Sequence, residues 1–278
     1  MYNKFLVEKI IKNALIEDMN YGDTTTDLLI DDASFSEAYM IAKETGVVAG
    51  LLVAESVFKL LDENISFKVL KKDGTLVKKG EKIAEIKGST KNILKGERLA
   101  LNLLQRMSGI ASASRRYADL VKEYQTRVVD TRKTTPNLRI LEKYAVRVGG
   151  CYNHRFNLSD AVMIKDNHIK AVGSIKKAVE RIRENIPHTT KIEVEVTSLK
   201  ELEEALKARA DIIMLDNMDL ETMKRAVEST KGRAILEASG NITLERIKDI
   251  AKIGVDVISV GALTHSVKAM DISLLIID

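Results

Sequence analysis

Two hydrophobic rhythms divide the chain. Between Arg127 and Val260, short β-branched runs alternate with stretches whose apolar residues recur every three or four positions, the signature of strands followed by amphipathic helices. The strands read Arg127 to Thr131, Ala145 to Val148, Ala161 to Ile164, Ile192 to Val196, Ile212 to Leu215, Ala234 to Glu237 and Val255 to Val260. Helices between them include 175–184, 199–208, 220–229 and 244–253. Seven strands joined by crossover helices predict a parallel sheet, which right-handed crossovers can close into a barrel. A doubly wound open sheet is the alternative. No Gly-x-Gly-x-x-Gly turn follows the first strand, which counts against a dinucleotide-binding half.

Before Arg127 the pattern is shorter and more broken. Leu6, Ile10 and Ala14 recur at helical spacing, and Gly96 to Tyr124 reads as a helix with Leu99, Leu103 and Leu104 in one stripe and a break at Ser108-Gly109. From Ser36 to Gly88, strands at 37–43, 66–70 and 75–86 surround a helix through Phe58 to Leu61, with turn signals at Lys72-Asp73-Gly74 and Lys79-Gly80. The stretch Asp73 to Lys87 is superficially similar to half of a biotinyl or lipoyl carrier. It has no Lys between two Met residues at a hairpin tip, so a small sandwich of strands is the expectation.

Composition narrows the class. With 278 residues, 45% hydrophobic and 30% charged, the chain suits a globular protein of about two domains. Seven Tyr, five Phe and no Trp leave few platforms for stacking bases, and a net charge of +4 is too mild for a surface that coats a polyanion, so no nucleic-acid partner is expected. The single Cys151 excludes an intramolecular disulfide framework and fits a reducing cytoplasm. Charged residues interrupt the first twenty positions, and the apolar run from Gly46 stops at Glu55, so neither a signal peptide nor a membrane span is expected.

The chemistry gathers at strand ends. In a β/α barrel the C-terminal ends of the strands converge on one face, where active sites form. Those ends carry Asp130 to Thr135, Gly149 to Arg155, Lys165 to His168, Glu193 and Glu195, Asp216-Asn217, Glu237 to Asn241 and Val260-Gly261-Ala262. Carboxylates at the inward positions Glu193 and Glu195 are costly unless they meet cations or a metal, and Arg132, Lys133, Arg155 and Lys165 supply cations. Such a set suits a polyanionic substrate accompanied by a divalent metal. The turns Ser239-Gly240-Asn241 and Gly261-Ala262 lie where barrels hold a phosphate. A Cys151–His154 nucleophile and base is disfavoured because nothing identifies a third, orienting group. His154, His168, His188 and His265 lack zinc-ligand spacing, and Asp31-Asp32 lacks the glycine turn of the common phosphoribosyltransferase fingerprint.

Taken in order, several stretches closely resemble one family. They are Glu97 to Asn102, Thr131-Arg132-Lys133-Thr134-Thr135-Pro136, Lys143 to Val146 with Gly149-Gly150, Asn153-His154-Arg155, Ile164 to His168, Glu193 to Val196, Leu215-Asp216-Asn217 and Val260 to Ser266, with Glu17-Asp18 and Gly22 to Thr25 near the start. The resemblance is to the quinolinate phosphoribosyltransferases, also called nicotinate-nucleotide pyrophosphorylases (carboxylating). It implies an α/β fold: an N-terminal α/β sandwich domain over 1–107, an incomplete seven-stranded α/β barrel catalytic domain over 108–266, and a tail, 267–278, that returns to the sandwich. The implied reaction joins quinolinate to phosphoribosyl pyrophosphate with Mg2+. Its products are nicotinate mononucleotide, pyrophosphate and CO2, a step of de novo NAD synthesis; a related enzyme using nicotinate or another pyridine carboxylate is the alternative.

By that resemblance Arg132, His154, Arg155 and Lys165 form the pocket for two carboxylates, with Lys133 reaching the same site and Thr131 beside it. Glu195 and Asp216 face the ribose and the metal-bound pyrophosphate, and with Lys165 form the catalytic set. Ser239, Gly240 and Asn241, with Val260, Gly261 and Ala262, hold the 5′-phosphate. Arg98 acts in the partner's site of a homodimer, with higher assembly left open. Cys151, after the glycine pair, stands where a small residue is expected.

Overall fold

A computed structural model describes residues 3–277. In chain order the first elements are α1 (Lys4–Asp18), α2 (Thr24–Leu29), β1 (Phe35–Ala42), β2 (Gly46–Val47), α3 (Leu51–Leu61), β3 (Ser66–Val69), β4 (Leu76–Val77) and β5 (Lys82–Ser89). There follow α4 (Thr90–Val121), β6 (Arg127–Val129), α5 (Arg139–Val148), β7 (Val162–Ile164), α6 (Asp166–Val172), α7 (Ile175–Arg183), β8 (Ile192–Val196) and α8 (Leu199–Lys207). The last are β9 (Ile212–Asp216), α9 (Leu220–Thr230), β10 (Ile235–Ser239), α10 (Leu244–Ile253), β11 (Val257–Ser259), α11 (Ala262–His265) and β12 (Ile272–Ile277). No helix among the described residues is long and apolar enough to cross a membrane.

Contacts group the chain into two compact units. One takes the chain up to Arg115, Thr134–Gly150 and everything from Leu263; the other takes Arg116–Lys133 and Cys151–Ala262. Set beside the expected division into 1–107 with a returning tail 267–278 and 108–266, the main difference is that Thr134–Gly150 groups with the first unit, where α5 contacts α1 and Arg106 on α4 hydrogen-bonds Glu142 on α5.

The first unit is built on an antiparallel sheet in the order β12-β1-β5-β3. Along β1 the buried positions alternate, Ala38, Met40 and Ala42, and the register sets Met40 opposite Ala84 on one side and Leu274 on the other. The final strand of the chain therefore pairs with the first. Phe58 of α3 stacks on Phe67 of β3 with ring centroids 6.0 Å apart. In α1 the buried residues are Val7 and Ile11, one position along from the stripe that Leu6 and Ile10 suggested. Helix α4 runs through Ser108-Gly109 without the expected break. The pair serves packing: Ser108 Oγ accepts from the Ala49 N–H at 3.0 Å, and a Cβ on Gly109 would lie 2.2 Å from the Lys268 carbonyl oxygen.

The second unit is a parallel sheet ordered β6-β11-β10-β9-β8-β7, with α7, α8, α9 and α10 as crossovers. Ser174, Ser198 and Asp219 cap the starts of α7, α8 and α9 by accepting backbone N–H bonds. The sheet has six strands where seven were expected. Residues 145–148 are the end of helix α5, whose buried Leu141, Glu142, Ala145 and Val146 follow helical spacing. The place next to β6 is taken instead by one parallel bridge between Val129 and Tyr152. The sheet, edged by β6 and β7, is the incomplete barrel of the expected α/β class.

Candidate active site

The parallel register brings the ends of the strands to one level. Val129 of β6 pairs with Ser259, Ser239 of β10 with Asp216 of β9, and Leu215 with Val196 of β8. Thr131, Arg132 and Lys133 follow β6, Lys165 follows β7, Glu195 lies near the end of β8, and Asp216 and Ser239 end β9 and β10. Val260, Gly261 and Ala262 follow β11, and His154 and Arg155 follow the Tyr152 bridge. The second unit thus collects every expected site residue except Arg98, which is exposed on α4 in the first unit.

Local hydrogen bonds hold this rim. Buried Asp130 accepts from the His154 N–H at 2.8 Å and from Asn153 Nδ2 at 2.7 Å, which folds the 153–155 loop across the sheet end. Arg155 is half-buried and donates through Nη1 to the Ala161 carbonyl at 2.8 Å. Burial, then the neighbouring Arg132, pushes its guanidinium below the ordinary value, so a bound anion would relieve both effects. His168 Nδ1 accepts from the Lys165 N–H at 3.0 Å at the start of α6, and the Lys165 ammonium pairs with Glu195.

The glycine turn after β10 is equally constrained. Gly240 has φ +89°, and a Cβ there would meet Asn217 Oδ1 at 2.2 Å. Asn217 donates to Asp216 Oδ2 at 2.8 Å and accepts from Asn241 Nδ2 at 3.0 Å. This link between the turn and the Asp216 carboxylate was not read from the sequence, because it depends on two loops meeting.

Deeper in the sheet lies a second acidic layer. Glu195, Met214 and Glu237 are in register across β8, β9 and β10, while Glu193 lies two residues before Glu195 and so faces the same side. Glu193 and Glu237 are buried, and His154 Nε2 stands 3.3 Å from one and 3.5 Å from the other. Burial first, then the Glu193 charge, raises the Glu237 carboxyl to about 7. The three donor atoms lie within 4.8 Å of one another. However, His154 Nδ1 already accepts from the Arg155 N–H at 2.7 Å, which leaves the ring proton on Nε2 and no lone pair there for a metal. Glu195 and Asp216 are hard oxygen donors on the neighbouring strands β8 and β9.

At the opposite end of these strands a cavity of about 730 Å³ is lined by Lys191, Asp211, Arg233 and Asp256. Its carboxylates are occupied in capping strands: Asp211 accepts from the Ile192 N–H and Asp256 from the Leu236 N–H, both at 2.8 Å.

A family model described as the quinolinate phosphoribosyl transferase N-terminal domain matches residues 23–108, and one described as the C-terminal domain matches residues 110–275. The chain belongs to the quinolinate phosphoribosyltransferase family. It is 46% identical over 272 residues to a probable nicotinate-nucleotide pyrophosphorylase (carboxylating) of Bacillus subtilis, covering 98% of this chain and 94% of that protein. A protein of the same name from Methanocaldococcus jannaschii is 45% identical over 275 residues, covering 96% and 95%. The crystal structure of NadC from Streptococcus pyogenes superposes with a TM-score of 0.95 at 46% identity, covering 100% of this chain and 99% of that one. As a quinolinate phosphoribosyltransferase, the chain meets the fold expected of it: a parallel sheet in one unit and an antiparallel sheet in the other.

Proposed function

We infer that this protein transfers the phosphoribosyl group of phosphoribosyl pyrophosphate to quinolinate and releases CO2, giving nicotinate mononucleotide and pyrophosphate in de novo NAD biosynthesis. The observation that carries the substrate reading is the pair of neighbouring guanidinium groups, Arg132 and Arg155, on a rim that also holds Lys165. Like charges held together call for an anion of matching charge, and quinolinate offers two adjacent carboxylates where nicotinate offers one. Calorimetric titration is expected to show quinolinate binding at least about tenfold more tightly than nicotinate, a gap of about 1.4 kcal/mol. Equal affinities would contradict the assignment.

In this reading Arg132, Arg155 and Lys165 orient quinolinate, with His154, Thr131 and Lys133 completing the pocket. The Ser239-Gly240-Asn241 and Val260-Gly261-Ala262 turns offer backbone N–H groups to the 5′-phosphate. As pyrophosphate leaves C1 of the ribose, positive charge builds on the sugar, and the Glu195 and Asp216 carboxylates stabilise it. The same two residues would hold Mg2+ together with substrate oxygens; when bound, the ion neutralises charge on the leaving group. The ring nitrogen attacks C1 and becomes cationic, the carboxylate at C2 departs as CO2 and leaves its bonding pair on C2 beside the positive nitrogen, and a proton from solvent then adds at C2 to give nicotinate mononucleotide. Positioning and exclusion of water are what the protein must add.

We read the active form as a homodimer in which Arg98, exposed on α4, enters the partner's site. Mixing Arg98→Ala with Lys165→Ala chains tests this. Random exchange places one intact site in half of the dimers, so activity is expected to recover to about a quarter of the wild-type value. No recovery after confirmed exchange would assign Arg98 to its own subunit.

A further inference from the structure

We propose that Glu193 and Glu237 are positioning residues that fix the orientation of the His154 ring through its Nε2–H, while the Arg155 N–H keeps Nδ1 unprotonated, so that His154 gives the pocket a fixed uncharged surface and leaves the substrate's charge to the Arg and Lys side chains. The inference rests on the reading of the rim as the quinolinate pocket. It begins with a donor that has no choice: the backbone N–H of Arg155 can only donate, and it points at His154 Nδ1 from 2.7 Å. Nδ1 therefore carries no proton, and the one ring proton is on Nε2. That nitrogen faces Glu193 Oε2 at 3.3 Å and Glu237 Oε2 at 3.5 Å. Behind it, the His154 N–H is fixed to Asp130 at 2.8 Å. The ring is thus held at both nitrogens and at its own backbone.

The setting argues that stability alone does not account for the two glutamates. Both are almost fully buried, at 2% and 3% exposure, and the Oε1 atom of each has no hydrogen-bond partner. Interior positions of parallel strands are ordinarily filled by branched apolar residues, as Ile192, Val194 and Val196 fill the other face of β8. Buried carboxylates with idle oxygens weaken a fold unless they are needed for something else. The groups facing Glu237 are Glu193, His154, Ser259 and Lys165, and those facing Glu193 include His154 and Arg155. The glutamates thus act on the substrate through His154 and Arg155, the residues read as its pocket.

Nitrogen-15 NMR of the full-length protein at pH 7.5 tests the tautomer, with His154→Asn identifying the His154 signals. An Nε2–H neutral ring is expected; an Nδ1–H ring or a doubly protonated one would overturn the proposal. Paired double variants then separate hydrogen bonding from charge. Glu193→Gln with Glu237→Gln keeps an acceptor at each position, whereas Glu193→Leu with Glu237→Leu removes both. The Leu pair is expected to free the ring orientation, seen as broadened His154 ring signals, and to raise KM for quinolinate about tenfold, with KM for phosphoribosyl pyrophosphate within about twofold of wild type. The Gln pair is expected to keep both near wild type. An unchanged quinolinate KM in a folded Leu pair would overturn the proposal. If a variant does not fold, the wild-type spectrum still decides the tautomer. A protein that turns over no quinolinate would defeat the proposed reaction while leaving that spectrum to be read on its own.

Discussion

Arg155→Ala is expected to raise the Kd for quinolinate roughly 100-fold, about 2–3 kcal/mol, the range for hydrogen bonds to charged groups. The side chain is half-buried and tethered to the Ala161 carbonyl, so its guanidinium is set in place before substrate arrives. Its charge is held against burial and against Arg132. On the proposed reading, its removal would leave a carboxylate of the substrate without a planar partner. Arg155→Lys restores charge without the two-pronged geometry and is expected to recover only part of the loss. Affinity for phosphoribosyl pyrophosphate, measured in the same titrations, is expected to move no more than a few-fold. A quinolinate Kd that stays put would remove Arg155 from the pocket.

Arg106→Ala is expected to cost about 3–5 kcal/mol of stability, because it strands a buried carboxylate. Glu142 on α5 is fully buried, and Arg106 donates to its Oε1 through Nε at 3.1 Å and Nη2 at 2.9 Å. The same guanidinium donates to the carbonyls of Thr264 at 2.7 Å and Val267 at 3.4 Å, joining α4, α5 and the C-terminal segment. Thermal unfolding is expected to shift down by roughly 10 °C, the change that such a loss produces in a domain of this size. Adding Glu142→Leu to Arg106→Ala is expected to recover much of the loss, since no charge is then left unpaired. A shift of only a degree or two in the single variant would contradict this account of Glu142.

The second half of the chain was largely legible in its sequence. Parallel strands buried on both faces make short continuous apolar runs, and the helices between them keep one apolar stripe; β8 and α10 coincide with the runs read from the pattern. Because such strands end on one face, the sequence pattern alone places Lys165, Glu195, Asp216 and Ser239 on one rim. What stayed hidden depends on partners distant in sequence. Ala145 to Val148 looks like a strand in isolation, and only the burial of Leu141 and Glu142 in the same turns shows it to be helix. Ser108-Gly109 carries a breaker's composition, yet the pair packs against Ala49 and Lys268. Glu142 gives no sign that Arg106 awaits it. The tautomer of His154 is set by a backbone N–H and its ring orientation by two carboxylates on other strands, which no spacing rule reports.

The central claim, transfer to quinolinate with decarboxylation, is tested most directly by incubating the purified protein with phosphoribosyl pyrophosphate and Mg2+ and either quinolinate or nicotinate. Nicotinate mononucleotide, pyrophosphate and CO2 are followed together. The account predicts equal amounts of the three from quinolinate and little or no mononucleotide from nicotinate. Turnover of nicotinate alone would contradict it.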